Sequence, residues 1–386
     1  MDAAQWLMKL IRFELQGAPV AAEELDALDA QLLSELYRLA DAHDLAHMVG
    51  SALSKLGKRG DDQASKDFQK KSMMAVFRHE GLQYEQNRIY ETLEKGKIPF
   101  IPLKGAIIRN FYPQPWMRTS CDIDVLVQET DLDRAISALK TELGYRGDEK
   151  RQYHDVNMLA PSGVHLELHF SIKEDEKQLD TVLGRVWDYA APSSPGSYQY
   201  QLTEAYFLFH IVTHAANHII NGGCGVRPLI DLWLLEKNLT PDEKELTGLL
   251  QEVKLVTFYQ SLKSLYNVWL EGQPHTPVTM RLQAYILHGG VYGKISNLMT
   301  LQLQRKGGPL GYALYKIFLP LDKLKSHYPI LKKHPWLMPV MQVRRWFKLI
   351  FCGHTKRVVR ELSYNQSISQ EDADSMKALL KDIGLI

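Results

Sequence analysis

Apolar residues recur at helical spacing in the first 95 residues and again in the last half of the chain. In the first part the spacing is clearest in LDAQLLSELYRLADAHDLAHMVGSALSKL and from Phe68 to Leu93. In the second part it begins at Leu202 and is interrupted at Gly222-Gly223. The pattern therefore predicts two helical regions with a different kind of structure between them.

The middle of the chain has short apolar runs, which are typical of strands rather than helices. CDIDVLV alternates most clearly between polar and apolar positions. The pattern predicts an edge or end strand over 98–103, a strand at CDIDVLV, a helix over 131–143, and a hairpin of strands over 152–159 and 164–170. The predicted fold class is α+β: a mixed β-sheet core at 96–195, flanked by an N-terminal helical region at 1–95 and a C-terminal helical region at 196–386.

Composition narrows the class of protein. The chain has 386 residues, with 46 Lys and Arg against 45 Asp and Glu, so its formal net charge is +1. This balance gives no overall attraction to nucleic acid or anionic membranes. The N-terminus does not read as a signal peptide, and no stretch has the roughly 20 apolar residues of a membrane span. Three scattered cysteines (Cys121, Cys224 and Cys352) favour a reducing compartment, and we expect a cytoplasmic protein.

Three acidic residues in the middle part are candidate metal ligands. Asp122 and Asp124 stand two apart on the predicted strand, so their side chains project to one face. Adjacent carboxylates repel each other unless a cation lies between them, and Mg²⁺ prefers such oxygen ligands. Glu167 lies in a second apolar strand, where an uncompensated carboxylate is costly. A solvated strand end and a surface-facing glutamate are the alternative explanations.

The residues around this strand suggest a site for phosphate groups. Lys104 and Gly105 follow the first predicted strand, where a lysine charge and a closely approaching backbone favour an anion. Arg118 adds a second cation, or else forms an ion pair with Asp122 or Asp124. His169 is a candidate for contacting the nucleotide, orienting a carboxylate or acting as a base, and a purely structural histidine remains an alternative.

Five motifs follow one another along the chain: Lys104-Gly105, Arg118, Asp122-x-Asp124, the turn Gly144-Tyr145 and Glu167-Leu-His169. In this order they resemble the motifs of the nucleotidyltransferase superfamily of the polymerase-β type. The similarity is to an uncharacterised bacterial branch that carries LKG in place of the usual Gly-Ser turn, and it extends over about 70–240. Two downstream motifs, His214-x-x-x-His218 and Gly225-Val-Arg227-x-x-x-Asp231, are similar to the helical signature of this branch. In this chain Lys104 precedes the glycine and Ala106 follows it.

The resemblance implies a nucleotidyltransferase core at 96–195. It implies that Asp122, Asp124 and Glu167 are the catalytic and Mg²⁺-binding residues, and that Lys104, Gly105, Arg118 and His169 bind the NTP, expected to be ATP. The predicted function is Mg²⁺-dependent transfer of a nucleoside monophosphate to an unidentified acceptor. The altered glycine turn also allows a second reading: a nucleotide- or polymer-binding module without turnover.

Two further features each allow more than one interpretation. His210, His214 and His218 recur every four residues, a spacing that suits a histidine-lined wall beside the nucleotide and, less well, a transition metal. Residues 320–360 contain ten Lys or Arg and one acidic residue, with aromatic side chains between them. A nucleic-acid-acting enzyme or toxin–antitoxin component would use that stretch, although a solvated helical face with buried aromatics explains it more simply.

Overall fold

The computed structural model describes residues 1–147, 154–174, 176–290, 311, 314, 315, 317–351 and 370–386. The N-terminal region is helical, as predicted, and its helices are α1 (Ala3–Gln16), α2 (Ala22–Asp26), α3 (Ala30–Ala42), α4 (Ala46–Lys55) and α5 (Gln63–Lys95). Aspartates begin three of them: the side chains of Asp2, Asp29 and Asp62 accept hydrogen bonds from backbone N–H groups in the first turn.

A mixed sheet follows. Its strands are β1 (Phe100–Pro102), β2 (Asp122–Val127), β3 (Arg146–Gly147), β4 (Asp155–Leu159) and β5 (His165–His169). Among the described residues these five strands lie in the order β1-β2-β5-β4-β3. Only β2 and β5 pair in parallel; the other neighbours are antiparallel. The predicted edge strand and the predicted hairpin of β4 and β5 are both confirmed, while residues 152 and 153 of that prediction lie outside the described residues.

Short helices connect the strands. They are α6 (Gly105–Ile108), the 3-10 segments Arg109–Phe111, Pro115–Met117 and Glu129–Asp131, and α7 (Leu132–Leu143). Helix α7 ends at Gly144, whose φ of 71° is the left-handed conformation that glycine adopts without strain. After the sheet come α8 (Lys177–Leu183), the 3-10 segment Val186–Tyr189, and the antiparallel pair β6 (Ala190–Pro192) and β7 (Tyr200–Leu202).

The C-terminal region is helical. Its elements are α9 (Glu204–Ile220), α10 (Arg227–Asn238), α11 (Glu243–Glu252), α12 (Val256–Glu271), α13 (Pro277–Gly289), Leu321–His327, Ile330–Lys333, the 3-10 segment Pro335–Leu337, Met338–Phe351 and Gln370–Asp382. Gly222 and Gly223 lie in the connection between α9 and α10, both with positive φ. In the described part of the chain, no helix combines the length and the apolar character that crossing a membrane requires.

The two faces of the sheet contribute to different apolar clusters. On one face Ile123, Val125, Leu166 and Leu168 pack with side chains from α5 and α7. On the other face Leu126 packs in a larger cluster that takes in residues from α1 to α13 and beyond, including α9 and α10. Both helical regions therefore share a core on the side of the sheet that carries Asp122 and Asp124. The α+β class, a mixed sheet with helical flanks, is confirmed.

Candidate active site

The parallel pairing of β2 with β5 brings two of the predicted metal ligands together. Asp124 is the register partner of Glu167, and Asp122 is the partner of His165. Because side chains alternate along a strand, Asp122, Asp124, Glu167 and His169 share one face. One ligand atom from each of Asp124, Glu167 and His169 lies within 4.8 Å of the others. Asp122 lies beside this group on the same face, two residues earlier along β2.

His169 connects the two carboxylates. Its Nε2 lies 2.9 Å from Oδ1 of Asp124 and 3.5 Å from Oε2 of Glu167. The imidazole is only 5% exposed, and the His154 ring stacks on it with a centroid distance of 5.6 Å. The Asp124 side chain is 15% exposed, whereas that of Glu167 is 34% exposed. Asp124 is therefore held by its neighbours, and Glu167 reaches solvent.

The pKa values report how closely these charges interact. Burial raises the pKa of Asp122 to about 6, and the neighbouring carboxylates of Asp124 and Glu167 add to this rise. Burial also acts to raise the pKa of Asp124, but the hydrogen bond with His169 and the charge of Lys104 outweigh it and hold that pKa well below its usual range. Burial acts to lower the pKa of His169, but its bonds to Asp124 and Glu167 raise it to about 9. The site therefore concentrates negative charge and compensates only part of it.

Lys104 and Gly105 lie at the end of β1, next to this group. The backbone N–H of Leu103 donates to the carbonyl of Asp124 at 3.1 Å, which fixes the turn against β2. Lys104 has a φ of 36° and a ψ of −101°, a conformation that is strained for any residue with a side chain. A strained lysine beside buried carboxylates is typical of a functional turn, because the surrounding structure has to hold it in place.

Arg118 lies near the site but is paired with a distant residue. Its Nε and Nη2 donate to both carboxylate oxygens of Asp231 on α10, at 2.9–3.1 Å, and Tyr112 donates to the same carboxylate at 2.7 Å. Arg118 therefore does not form the pair with Asp122 or Asp124 that the sequence had suggested. Arg227, four residues before Asp231 on the same helix, pairs with Asp44 instead. Only Nη1 of Arg118 is left to face Gly105.

The loop before β2 is anchored from both helical regions. Thr119 donates to Asp44 at 2.6 Å, and Arg227 donates to the Thr119 carbonyl at 3.0 Å and to Asp44 at 3.1 Å. His47 lies 2.7 Å from the Met117 carbonyl. Asp44 and His47 come from the N-terminal region and Arg227 from α10. Sequence reasoning missed these roles, since each partner is far away along the chain.

Helix α9 closes the other side of the site. His210, His214, His169 and Lys104 line a cavity of about 140 Å³ together with Glu167 and Glu174. His214 lies 2.9 Å from Glu174 and, through its other nitrogen, 2.9 Å from His218. Burial lowers the pKa of His210 and His214 well below the ordinary value, and the charge of Lys104 adds to this. Among the described residues, none of these three histidines belongs to a group of three side chains that could hold a metal ion. His210 and His214 therefore line the cavity as neutral side chains.

Two polar residues near Gly105 were not identified from the sequence as candidate site residues. Arg109 is 2% exposed and Ser120 is half-buried, and they hydrogen-bond to each other at 3.0 Å. The available signal was an arginine within the otherwise apolar run AIIRNFY, four residues after Gly105. The basic C-terminal stretch gives no comparable cluster in its described part: Trp336 and Phe347 are 74% and 59% exposed rather than buried. Lys356, Arg357 and Arg360 lie outside the described residues.

The donor set fits a hard divalent cation. Carboxylate oxygens lie together on one face, an imidazole is already hydrogen-bonded to one of them, and the group of Asp124, Glu167 and His169 contains no thiol. Cationic groups lie on the side of Gly105. Carboxylates on one side and cations on the other suit a metal-bound polyphosphate, whose oxygens need both kinds of partner.

A family model matches most of the chain. The model described as uncharacterised nucleotidyltransferase matches residues 29–271, well over half of the chain. Neither the curated proteins nor the solved structures contain a match to this chain. The matched range includes Lys104, Asp122, Asp124, Glu167 and Asp231, so the site lies within it. The chain belongs to this family of uncharacterised nucleotidyltransferases.

Proposed function

We propose that the protein is a Mg²⁺-dependent enzyme that transfers a nucleoside monophosphate from an NTP to an acceptor and releases pyrophosphate. The observation that carries this proposal is the register of β2 and β5, which places Glu167 opposite Asp124 and leaves Asp122 on the same face. Three carboxylates in this arrangement are hard to explain as structural, because like charges side by side repel one another and burial also disfavours the charges of Asp122 and Asp124.

Asp122, Asp124 and Glu167 would hold the metal ion, which supplies charge neutralisation for the polyphosphate when bound. His169 keeps the Asp124 carboxylate oriented through its 2.9 Å hydrogen bond. Lys104 lines the same cavity and supplies a cation to the phosphate side. ATP is the first nucleotide to test.

The acceptor enters through the cavity between Glu167 and helix α9. There its oxygen attacks the α-phosphorus of the NTP, the bond to the bridging oxygen of the β-phosphate breaks, and pyrophosphate leaves. The proton of the acceptor hydroxyl passes to Glu167, the one of these three carboxylates that lines the cavity, whose side chain is 34% exposed. His210 and His214 are neutral and line the acceptor side without adding charge.

We place this reaction in the cytoplasm, where NTP and Mg²⁺ are available and an exposed free thiol such as Cys121 stays reduced. The acceptor is an unidentified hydroxyl or phosphate compound, and a nucleic acid is not favoured. The basic stretch at 320–360 does not border the cavity in its described part.

The test is transfer of label from each α-³²P-labelled NTP, with Mg²⁺, to a panel of acceptors that includes the protein itself, sugars and RNA. We expect labelled acceptor and pyrophosphate with the wild-type protein and neither after EDTA. Asp124→Asn should lose transfer by roughly a thousandfold or more, since a metal ligand contributes several kcal/mol to the transition state. Asp26→Asn, at an exposed aspartate of α2, is the matched control.

Two outcomes would favour a different function. NTP binding without any transfer or pyrophosphate would indicate a binding module that has lost turnover. RNA or DNA binding that weakens steeply with salt, again without transfer, would indicate a nucleic-acid-acting component that uses the basic stretch.

A further inference from the structure

Asp155 is a buried carboxylate without a lysine or arginine partner. It begins β4, is 5% exposed and is the register partner of His169 on β5. Nε2 of His154 lies 3.1 Å from one of its oxygens, and the side-chain amide of Asn157 donates to the other at 3.4 Å. Within the described part of the chain, no Lys or Arg pairs with it. A buried carboxylate is costly unless a cation compensates its charge, so Asp155 indicates a cation at this position.

His169 has one ring nitrogen that none of its protein contacts uses. Its Nε2 is the atom that lies 2.9 Å from Asp124 and 3.5 Å from Glu167. Its Nδ1 is shielded from solvent and has no hydrogen-bond partner among the described residues. Buried polar atoms almost always have a partner in folded proteins. Because Nε2 is engaged by the carboxylates, Nδ1 is the nitrogen that a further ligand can use.

The two residues meet at a group of three donors that includes His154. One ligand atom from each of His154, Asp155 and His169 lies within 4.8 Å of the others. The two imidazole rings are parallel to within 3°, and their centroids are 5.6 Å apart. Two imidazoles on one ion, each with its nitrogen about 2.1 Å from the metal, have centroids roughly 5–6 Å apart. The rings therefore have the separation that a shared ion requires.

The donor types select the kind of ion. Two imidazoles and one carboxylate are a ligand set for a transition-metal ion such as Zn²⁺, whereas Mg²⁺ prefers oxygen ligands and keeps several waters. The group of Asp124, Glu167 and His169 has the opposite balance, with two carboxylates and one imidazole. Three protein ligands leave the fourth position of a tetrahedral Zn²⁺ ion for water or another small ligand.

We propose that His154, Asp155 and His169 bind one Zn²⁺ ion at a site separate from the carboxylates proposed for Mg²⁺. Nδ1 of His169 ligates the ion and gives up its proton to solvent, while Nε2–H continues to donate to Asp124. Such a chain of carboxylate, histidine and zinc fixes the orientation of the ring. The Zn²⁺ ion would connect β4 to β5. The site follows from the donors around Asp155 and does not depend on the proposed function.

The experiment is isothermal titration of the metal-free, full-length protein with Zn²⁺ in the presence of excess Mg²⁺, which occupies the carboxylates. The wild-type protein should bind one Zn²⁺ per chain. Asp155→Asn and His154→Gln should each weaken binding by roughly a hundredfold or more, because losing a ligand costs more than losing a group that only orients one, for which the range is about 10- to 100-fold. Co²⁺ in place of Zn²⁺ should give visible absorption bands that Asp155→Asn abolishes.

Two control variants exclude other places for the ion. Asp122→Asn alters the proposed Mg²⁺ site at a residue that does not contact His169. His218→Gln removes one member of the pair His214 and His218, whose Nε2 atoms are 2.9 Å apart and offer another place for Zn²⁺. Both variants should bind Zn²⁺ with unchanged affinity and stoichiometry.

Absence of saturable Zn²⁺ binding by the wild-type protein overturns the site, as does unchanged affinity in both Asp155→Asn and His154→Gln. Loss of binding in Asp122→Asn or His218→Gln also overturns it, since the ion then lies elsewhere. If Asp155→Asn does not fold, His154→Gln decides the question, because the His154 side chain is 36% exposed and its substitution should be tolerated.

The Zn²⁺ site and the proposed function can fail separately. Zn²⁺ binding that depends on Asp155 and His154, in a protein that transfers no nucleotide, keeps the site and removes the proposed function. Nucleotide transfer with Mg²⁺ by a protein that binds no Zn²⁺ does the reverse.

Discussion

The two faces of the central sheet use the same strands for opposite purposes. On one face Val125 and Leu168 are register partners and are fully buried against α5 and α7. On the other face their neighbours Asp124 and Glu167 are also register partners, and burial disfavours the charge of Asp124. The pleat alone decides which side chain goes to which face. One face is therefore apolar along both strands, whereas the other combines part of the larger apolar core, at Leu126, with charges that neighbouring groups compensate only in part.

Substitution of Glu167 is expected to have the largest effect, and that effect should be on turnover rather than on stability. Glu167→Gln keeps the size of the side chain but removes the carboxylate that we propose as proton acceptor and metal ligand. Turnover should fall by roughly 10²- to 10⁴-fold, while the melting temperature stays the same or rises, because a repulsive charge is removed. Glu252→Gln, on the surface, is the matched control. Turnover within a few-fold of wild type would show that Glu167 is not part of the chemistry.

The face of the sheet that carries Asp122, Asp124 and Glu167 is called the polar face. Arg118 lies beside it and depends on a partner in α10. Asp231→Asn should destabilise the protein by about 3–5 kcal/mol, since it leaves Arg118 buried without a carboxylate. Urea denaturation measures the change in the free energy of unfolding. Asp382→Asn breaks the ion pair with Arg281 at an exposed position and should have no measurable effect. Equal effects of the two substitutions would contradict the importance of the buried pair.

The face of the sheet that carries Val125 and Leu168 is called the apolar face, and truncation of Leu168 tests what it contributes. Leu168→Ala should destabilise the protein by about 2–5 kcal/mol, because the side chain is fully buried and truncation leaves a cavity. Turnover per folded molecule should not change, since the side chain points away from the carboxylates. Leu159→Ala, on the exposed end of β4, is the control for stability. A loss of turnover at saturating substrate in folded Leu168→Ala would mean that the two faces are not separable.

Local patterns were enough to predict four of the five strands that the structure shows in the sheet, and β3 (Arg146–Gly147) was not predicted. Alternation in CDIDVLV located β2, and the signal at 161–163 located the hairpin of β4 and β5. The sequence also suggested that Asp124 and Glu167 belong to one site, and their pairing across β2 and β5 places them together. The strand and hairpin predictions succeeded because each depends on residues within one strand or one turn, where side-chain direction follows from the backbone period.

Long-range partners could not be predicted in this way. The ion pair of Arg118 with Asp231 joins residues 113 positions apart, whereas the carboxylates nearest to Arg118 along the sequence are Asp122 and Asp124. Arg109 was not among the candidate residues, and its burial and its hydrogen bond to Ser120 are seen only in the folded structure. Residue pairing in three dimensions depends on how α9 and α10 pack on the sheet, which hydrophobic periodicity does not specify.

Substitution of His169 is expected to have the smallest effect on activity, and it tests how Asp124 is positioned on the polar face. We expect its ring to orient Asp124 rather than to react, because it lies 2.9 Å from that carboxylate and is almost fully buried. His169→Gln should therefore raise the Mg²⁺ concentration needed for half-maximal activity by roughly 10- to 100-fold, the usual range for groups that position a metal ligand. At saturating Mg²⁺ most of the turnover should return.

The matched control for this prediction is His165→Gln. His165 lies on the same strand and the same face as His169 but is exposed, and it pairs in register with Asp122. Its substitution should leave the Mg²⁺ dependence unchanged. If His169→Gln instead lowers turnover equally at all Mg²⁺ concentrations, the imidazole acts on the nucleotide or on the transferred proton, and the polar face contains a fourth catalytic group beside its three carboxylates.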